Sequence, residues 1–324
     1  MHRQERLELA RARLVRILAK HKVANARTLE QKISDAGPSN QRIDPHILTT
    51  ARQQLEQQGV IIQLRRQIPW YHLSGTPAGA LQQRLALQEP IQQAMQQYNF
   101  TVRVGQALEI AVFRALRSQT NLQFFGHFLD LDAHDDSQPY SKEEPPSGLS
   151  GHLLPNNRKF DFVAVSTSAG FIGIEAKNIR EWLYPQRDEI KELLSKCCTV
   201  DAIPVLIGRR IPFVTFKLLN VCGAIIHRTY NQLFPASEAA LALRAKDKDL
   251  LGYHDIRIGN QPDARLQRFI QTNLPTLLKN ARAKFEQFKD LLTDYSTGTI
   301  PYAEFAARVR RRTTGASEES DWDA

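Results

Sequence analysis

The stretch from Lys159 to Lys177 leaves this chain few ways to fold. Two runs rich in aromatic and β-branched residues, 159–165 and 170–177, are separated only by Ser166, Thr167, Ser168 and Ala169. Two β-forming segments so close together, with a short polar turn between them, read as an antiparallel hairpin. Side chains two apart on a strand share a face, so Gly173, Glu175 and Lys177 point the same way. Pairing about the turn sets the early part of the first run, where Asp161 stands, beside the late part of the second. Two carboxylates and an amine are therefore expected to meet at the end of an otherwise apolar sheet.

The flanking segments alternate in type. Residues 104–116 are an amphipathic helix with Ala107, Leu108, Ala111, Val112, Ala115 and Leu116 on its apolar stripe and Glu109 among them. A strand-like run covers 122–131. Residues 132–157, dominated by acids, Pro, Gly and Ser, are expected to be an exposed loop. After the hairpin come a helix over 184–198, a strand over 202–207, a helix over 212–221 and an apolar strand over 223–227. The fold class is α/β.

The cluster suits phosphodiester hydrolysis. Carboxylate oxygens hold a hard cation such as Mg²⁺ or Mn²⁺, which activates a bound water and neutralises charge building on phosphate. A lysine acts there as a point cation. The carbonyl of Ala176 is a further candidate ligand. A bare Glu-x-Lys is common and is usually a same-face ion pair. Its weight here comes from the paired strand carrying Asp161 and the helix carrying Glu109.

Phe160-Asp161 together with Glu175-Ala176-Lys177 resembles the signature of the PD-(D/E)xK nucleases, with Phe160 in the place of the signature proline. The resemblance covers about residues 101–230. It implies a restriction endonuclease-like αβββαβ core, metal binding by Asp161 and Glu175, assistance from Lys177, and an extra acidic ligand at Glu109. Gln186 is followed four residues later by Ile190, so the QxxxY pattern of RecB-like exonucleases is absent and an endonuclease is expected. Gln186, Arg187 and Lys191, on the helix after the motif, are candidate phosphate contacts. His127, His134 and His152 fit no metal spacing and read as exposed loop residues.

Ahead of this segment, helical patterns over 3–22, 25–37 and 44–58 are followed by β runs at 60–64 and 68–73. Three helices and a hairpin resemble a winged helix-turn-helix, assigned to residues 1–76. Its third helix would present His46, Thr49, Thr50, Arg52 and Gln53 to base edges or phosphates, and its wing Arg65 and Arg66. Residues 1–75 hold 13 Lys and Arg against 6 Asp and Glu, most of the excess behind the formal charge of +9. That balance favours DNA as partner. A winged helix before a PD-(D/E)xK domain resembles the arrangement of Mrr-type restriction enzymes.

The remaining segments carry weaker signals. Residues 77–100 read as a Gln-rich helical connector broken at Pro90. The nuclease domain is assigned to 101–235 and a helical C-terminal region to 236–324. That region includes a long amphipathic helix over 263–297, kinked at Pro275, and an acidic tail expected to be disordered. Because cutting two strands generally takes two active sites, a homodimer through the long helix is expected. Three cysteines, Cys197, Cys198 and Cys222, give no disulfide framework. No stretch approaches the roughly 20 apolar residues of a membrane span. A cytoplasmic protein without membrane association or organic cofactor is expected. Two other readings fit the same residues: a structure-selective resolvase or repair nuclease, and a DNA-binding regulator with an inactive nuclease-like domain.

Overall fold

Five strands form the main sheet of the computed structural model, which describes residues 2–34, 41–119, 122–155 and 158–316. Their spatial order is Ile225–Arg228, Ile203–Gly208, Gly170–Lys177, Phe162–Ser166 and Gln123–Phe125. Gly170–Lys177 pairs antiparallel with Phe162–Ser166 about the expected turn, Ile174 facing Phe162. On its other side it runs parallel to Ile203–Gly208, which runs parallel to Ile225–Arg228. Parallel neighbours need crossovers, supplied by the helices Asp188–Val200 and Phe213–Val221. All six residues of Ile203–Gly208 are buried, as a strand covered on both faces must be. The chain is mixed α/β.

The apolar run over 122–131 is not one strand. Gly126, at φ +102°, splits it into Gln123–Phe125, in the main sheet, and His127–Phe128, which pairs with Lys142–Glu143. A β-carbon at Gly126 would stand 2.8 Å from the carbonyl oxygen of Asp161, so only glycine lets this bend approach the hairpin so closely. The expected exposed loop over 132–157 is corrected as well. Asp136, Tyr140, Leu149 and Leu154 are buried, and two short strands, Gly148–Leu149 and His152–Leu153, pair with each other. Isolated apolar anchors inside a turn-rich composition give no periodic signal. His127 and His134 are half-buried, stacked on Phe124 and Tyr140; only His152 is exposed.

Helix Leu274–Thr297 follows a π-helical turn, Phe269–Asn273, with Pro275 in its first turn. Arg268, Phe269, Asn273 and Leu274 all keep right-handed helical dihedrals, so the irregularity expected at Pro275 is taken up by this wider turn within one continuous helical run from Ala264. Its apolar stripe is not a free dimerisation face. Leu274, Leu278 and Ala281 pack into the core on one side of the sheet, and Phe285, Phe288, Leu291, Leu292 and Tyr295 into the core on the other. A homodimer would have to use another surface. The acidic tail over 317–324 lies outside the described residues.

The described residues fall into two compact units: those up to Thr101 with Glu238–Ile256, and those from Val102 to Ser237 with the segment from Arg257 onward. In the first, helices Arg3–His21, Ala26–Ile33 and Pro45–Gln57 enclose Ala10, Leu14, Leu18, Leu29, Leu48 and Leu55. A hairpin, Ile61–Leu64 with Trp70–Leu73, closes the core, and Ala24–Asn25 adds a third strand beside Trp70 and Tyr71. Asn25 caps the second helix, accepting the Thr28 N–H at 2.9 Å. Asp44 holds the cap position of the third, but its carboxylate takes Arg6 at 3.0 Å instead. Helix Ala78–Ala94 runs through Pro90 without the expected break. Buried Leu81, Leu85 and Ile91 anchor it on both sides of the proline, so packing overrides the lost hydrogen bond. Among the described residues no helix is long and apolar enough to cross a membrane.

Candidate active site

Asp161 stands one residue before the strand Phe162–Ser166, where backbone pairing with Gly170–Lys177 has ended. Its side chain continues the ladder in place of the backbone: Oδ2 accepts the Ala176 N–H at 2.7 Å. A bond from a backbone N–H to a carboxylate is charge-assisted and fixes the side chain. In an extended strand a residue's carbonyl leaves on the same edge as its N–H, so the Ala176 carbonyl turns toward the Asp161 side.

Glu175 lies two residues before Lys177 on the same strand face, its side chain only 4% exposed. Its two oxygens have different partners. Lys177 Nζ donates to Oε2, and Lys196 Nζ, from helix Asp188–Val200, donates to Oε1. Lys177 Nζ is also 3.8 Å from Asp161 Oδ2, so one ammonium bridges the two carboxylates. Asp161 and Lys177 keep side-chain exposures of 19% and 25%, so the cluster opens to solvent on their side. Glu109, from helix Tyr98–Arg117, accepts from Lys142 at 2.6 Å. The Lys142 ammonium sits 4.7 Å from the centre of the Phe162 ring.

The electrostatics follow from burial and like charge. The Glu109 carboxyl is pushed up to about 7, first by burial and then by the charge of Asp161; Lys142 opposes the rise. Glu175 is raised by the same two causes, against the pull of Lys177 and Lys196. Burial on its own would lower the Lys177 ammonium, but Asp161 and Glu175 outweigh it and hold the group above the ordinary lysine value. Lys177 is therefore a fixed cation and not a proton acceptor.

Phe160, next to Asp161, fixes the packing beneath the cluster. It is buried, and its ring lies over Gly173: a β-carbon there would come within 2.4 Å of the ring. The same ring is 5.0 Å from the Lys196 ammonium. Asn178, just beyond Lys177, is buried and donates to the carbonyls of Val104 at 2.6 Å and Leu233 at 2.7 Å. It also accepts the Leu233 N–H at 3.1 Å. This one amide ties the end of the Lys177 strand to the helix that carries Glu109.

Lys196, Lys142 and Asn178 are the residues that motif reading missed. For Lys196 a signal exists: helical spacing sets it in one stripe with Leu193, Cys197 and Val200, a charged residue where the core should be. It is 1% exposed and also donates to the Lys159 carbonyl at 2.7 Å. Lys142 lies in a turn-rich segment and carries no comparable mark.

The expected phosphate contacts after the motif sit differently from their prediction. The helix begins at Asp188, not at 184, because Tyr184–Arg187 form a turn that holds Pro185. Gln186 is exposed in that turn. Arg187 occupies the cap position and pairs with Glu189 at 2.6 Å. Lys191 is on the helix, over the ring of Tyr295 at 5.3 Å. In the first unit His46, Thr49 and Gln53 are exposed at helical spacing on Pro45–Gln57. Thr50 is half-buried, its hydroxyl turned back to the His46 carbonyl. Arg52 is drawn off that face by an ion pair with Glu56 and by the Tyr71 ring at 4.3 Å. Arg65 is exposed, whereas Arg66 pairs with Glu89 at 2.8 Å.

Among the described residues no group of three or more His, Cys, Asp and Glu is gathered closely enough to hold a metal ion as the side chains stand. Lysine ammonium groups hold Glu109 and Glu175 instead, and Lys177 lies within 3.8 Å of Asp161. A cavity of about 260 Å³ between Leu108, Thr229, Arg257 and Asp263 does not include the acids. Comparison of the chain with protein-family models, with curated proteins and with solved structures gave no match.

Proposed function

We infer that the chain is a metal-dependent DNA endonuclease with a restriction endonuclease-like core and an N-terminal winged helix that docks DNA. The observation that carries this reading is the bridge made by Lys177 between Asp161 and Glu175. Two carboxylates held around one cation, beside a third acid raised by burial and by the charge of Asp161, are hard oxygen donors of the kind Mg²⁺ and Mn²⁺ take. The order of the elements that build the main sheet supports it too: helix Tyr98–Arg117, three of the sheet's strands ending at Lys177, helix Asp188–Val200, strand Ile203–Gly208.

Asp161, Glu175, the Ala176 carbonyl and Glu109 would hold the ion. When bound, it supplies an activated water and charge neutralisation at the phosphate. The chain's own residues do the rest. Asp161 is held in place by the Ala176 N–H. Lys177 stays protonated and steadies negative charge on a phosphate drawn to the exposed side of the cluster. Lys196 keeps Glu175 extended toward Lys177 from within the core. On the first unit, the stripe of His46, Thr49 and Gln53 with Arg65 supplies hydrogen-bonding and cationic groups for a duplex.

A second reading has its own support. With both oxygens of Glu175 taken by lysines, the domain suits a regulator whose nuclease-like fold is inactive. Digestion of supercoiled plasmid with Mg²⁺ and Mn²⁺ separates the two. The nuclease reading predicts nicked and linear products from wild type and none from Asp161→Ala or Lys177→Ala. Equal products from all three proteins, or none from wild type with either metal, would favour the regulator.

A further inference from the structure

The helix Phe213–Val221 inverts the usual division of residues. Its buried members are Thr215, bonded to the Leu183 carbonyl at 2.8 Å, and Leu219. Its first turns expose Phe213 at 76% and Phe216 at 42%. With Val214, 43% exposed, they leave three large apolar side chains of one helix start in water, and a grouped apolar patch of this kind marks a contact surface.

The position of that surface is set by the sheet register. Lys177 pairs with Gly208, and Gly208 with Arg228, so three parallel strands end level with one another. Phe213 follows the second strand end by five residues, and Tyr230, 55% exposed, follows the third by two. The helix also packs on the sheet face to which Glu175 points. Glu175 is opposite Leu206, which shares a core cluster with Leu219 and Cys222. Two strand spacings, about 10 Å, separate the Lys177 strand from the strand Ile225–Arg228 that Tyr230 follows. Crevices at the carboxyl ends of parallel strands are where α/β sheets bind ligands.

Charge selects the occupant. The guanidinium of Arg265 lies 4.3 Å from the centre of the Tyr230 ring and that of Arg228 5.6 Å, and both arginines are exposed. Lys217 is exposed next to Phe216. An exposed tyrosine flanked by arginines, at the same sheet end as two exposed phenylalanines with a lysine beside them, suits a polyanion that also presents flat π surfaces, and a strand with unpaired bases is that ligand. A duplex offers its charge but keeps its base faces stacked inside. A second copy of this chain would bring the same positive charges to the contact.

The geometry points to Phe213, Phe216 and Tyr230 as a stacking platform for unpaired bases beside the acid cluster, so that the substrate is nucleic acid with a single-stranded segment, such as a flap or bubble. This rests on the nuclease reading for its role, but not for its test. The full chain is titrated in EDTA against fluorescein-labelled blunt duplex and the same duplex carrying a single-stranded tail, read by anisotropy. Wild type is expected to bind the tailed form about tenfold tighter, the worth of one or two stacked bases. Phe213→Ala and Tyr230→Ala should bring that ratio toward one, and Phe213→Trp should keep it. A ratio of one in wild type, or a ratio untouched by either alanine, overturns the inference. So does a wild-type dimer in sedimentation that Phe213→Ala converts to monomer, since the patch is then a self-association face. A tail preference lost in Phe213→Ala, in a protein that cleaves nothing with Mg²⁺ or Mn²⁺, sinks the nuclease reading and leaves this one standing.

Discussion

The N-terminal helices and hairpin, residues 2–75, and the unit that holds the five-stranded sheet treat charge in opposite ways. Between residues 2 and 75 the buried polar side chains among the described residues are His21, Asn25, Thr28, Gln31, Ser34 and His72. None of these is Asp, Glu, Lys or Arg; such residues there stay at the surface or on the rim. The sheet-bearing unit instead buries Glu175 and Lys196 together, with Arg180, Arg209 and Arg210 close by in sequence to the strand ends. Withdrawing ions from water costs several kcal/mol each, and a buried pair rarely repays that in stability. Strongly perturbed groups gather at working sites, which is why this pair bears on the proposed function. Residues 2–75 keep their formal charges outward; the second unit holds a buried ion pair inward, beside Asp161 and Lys177.

The largest expected effect tests whether the inward charges are coupled. Lys196→Ala leaves one oxygen of Glu175 buried without its ammonium, and breaking such a pair costs about 3 kcal/mol or more. Arg66→Ala removes an exposed pair of the first unit and should cost less than about 1 kcal/mol. Urea denaturation measures both; similar losses would erase the contrast between the two regions.

Next comes Gly173→Ala. The added methyl meets the Phe160 ring, and overpacking of this kind costs about 1–3 kcal/mol. The ring must move, and Asp161 is its chain neighbour. Cleavage should therefore fall further than stability does. A variant with full activity and normal stability would show that the Phe160 contact sets nothing at the site.

A pH series separates the third effect. Glu109 is raised from 4.5 to about 7, so between those values the folded chain holds a proton that the unfolded chain has lost. Its contribution to stability therefore falls as pH rises through that window, by at most about 1.4 kcal/mol per unit. Glu109→Gln removes this fall. In EDTA, the stability of the variant relative to wild type should climb from pH 4.5 to 7; a flat difference would mean that the carboxyl is not raised. His21 and His227, both lowered to about 4 mainly by burial, add an opposite trend that cancels in the comparison.

The smallest effect belongs to the first unit. Arg65→Ala should leave the unfolding midpoint where it is. Its mark would be on duplex binding, where log affinity against log salt becomes shallower by about one. An unchanged slope removes Arg65 from the contact surface.

Much of this was legible beforehand, for identifiable reasons. The hairpin of Asp161 and Glu175 could be read because alternation and a short turn fix register by themselves. Helix Pro45–Gln57 could be read because Asp44-Pro45 opens it and Gly59 follows its end. The packed segment around Tyr140 could not, since single apolar anchors leave no period. Nor could the unbroken helix through Pro90, where tertiary packing overrides a local rule. Lys142 and Asn178 act through contacts 33 and 74 residues away in sequence, which no local pattern encodes.

Metal uptake examines the heart of the matter without requiring catalysis. Binding of Mn²⁺ to the full chain, followed by the loss of the free-ion signal in electron paramagnetic resonance, should be saturable in wild type. It should be weaker by at least about tenfold, roughly 1.4 kcal/mol, in both Asp161→Asn and Glu175→Gln. Uptake of equal strength in all three proteins would contradict a divalent ion shared by those two carboxylates.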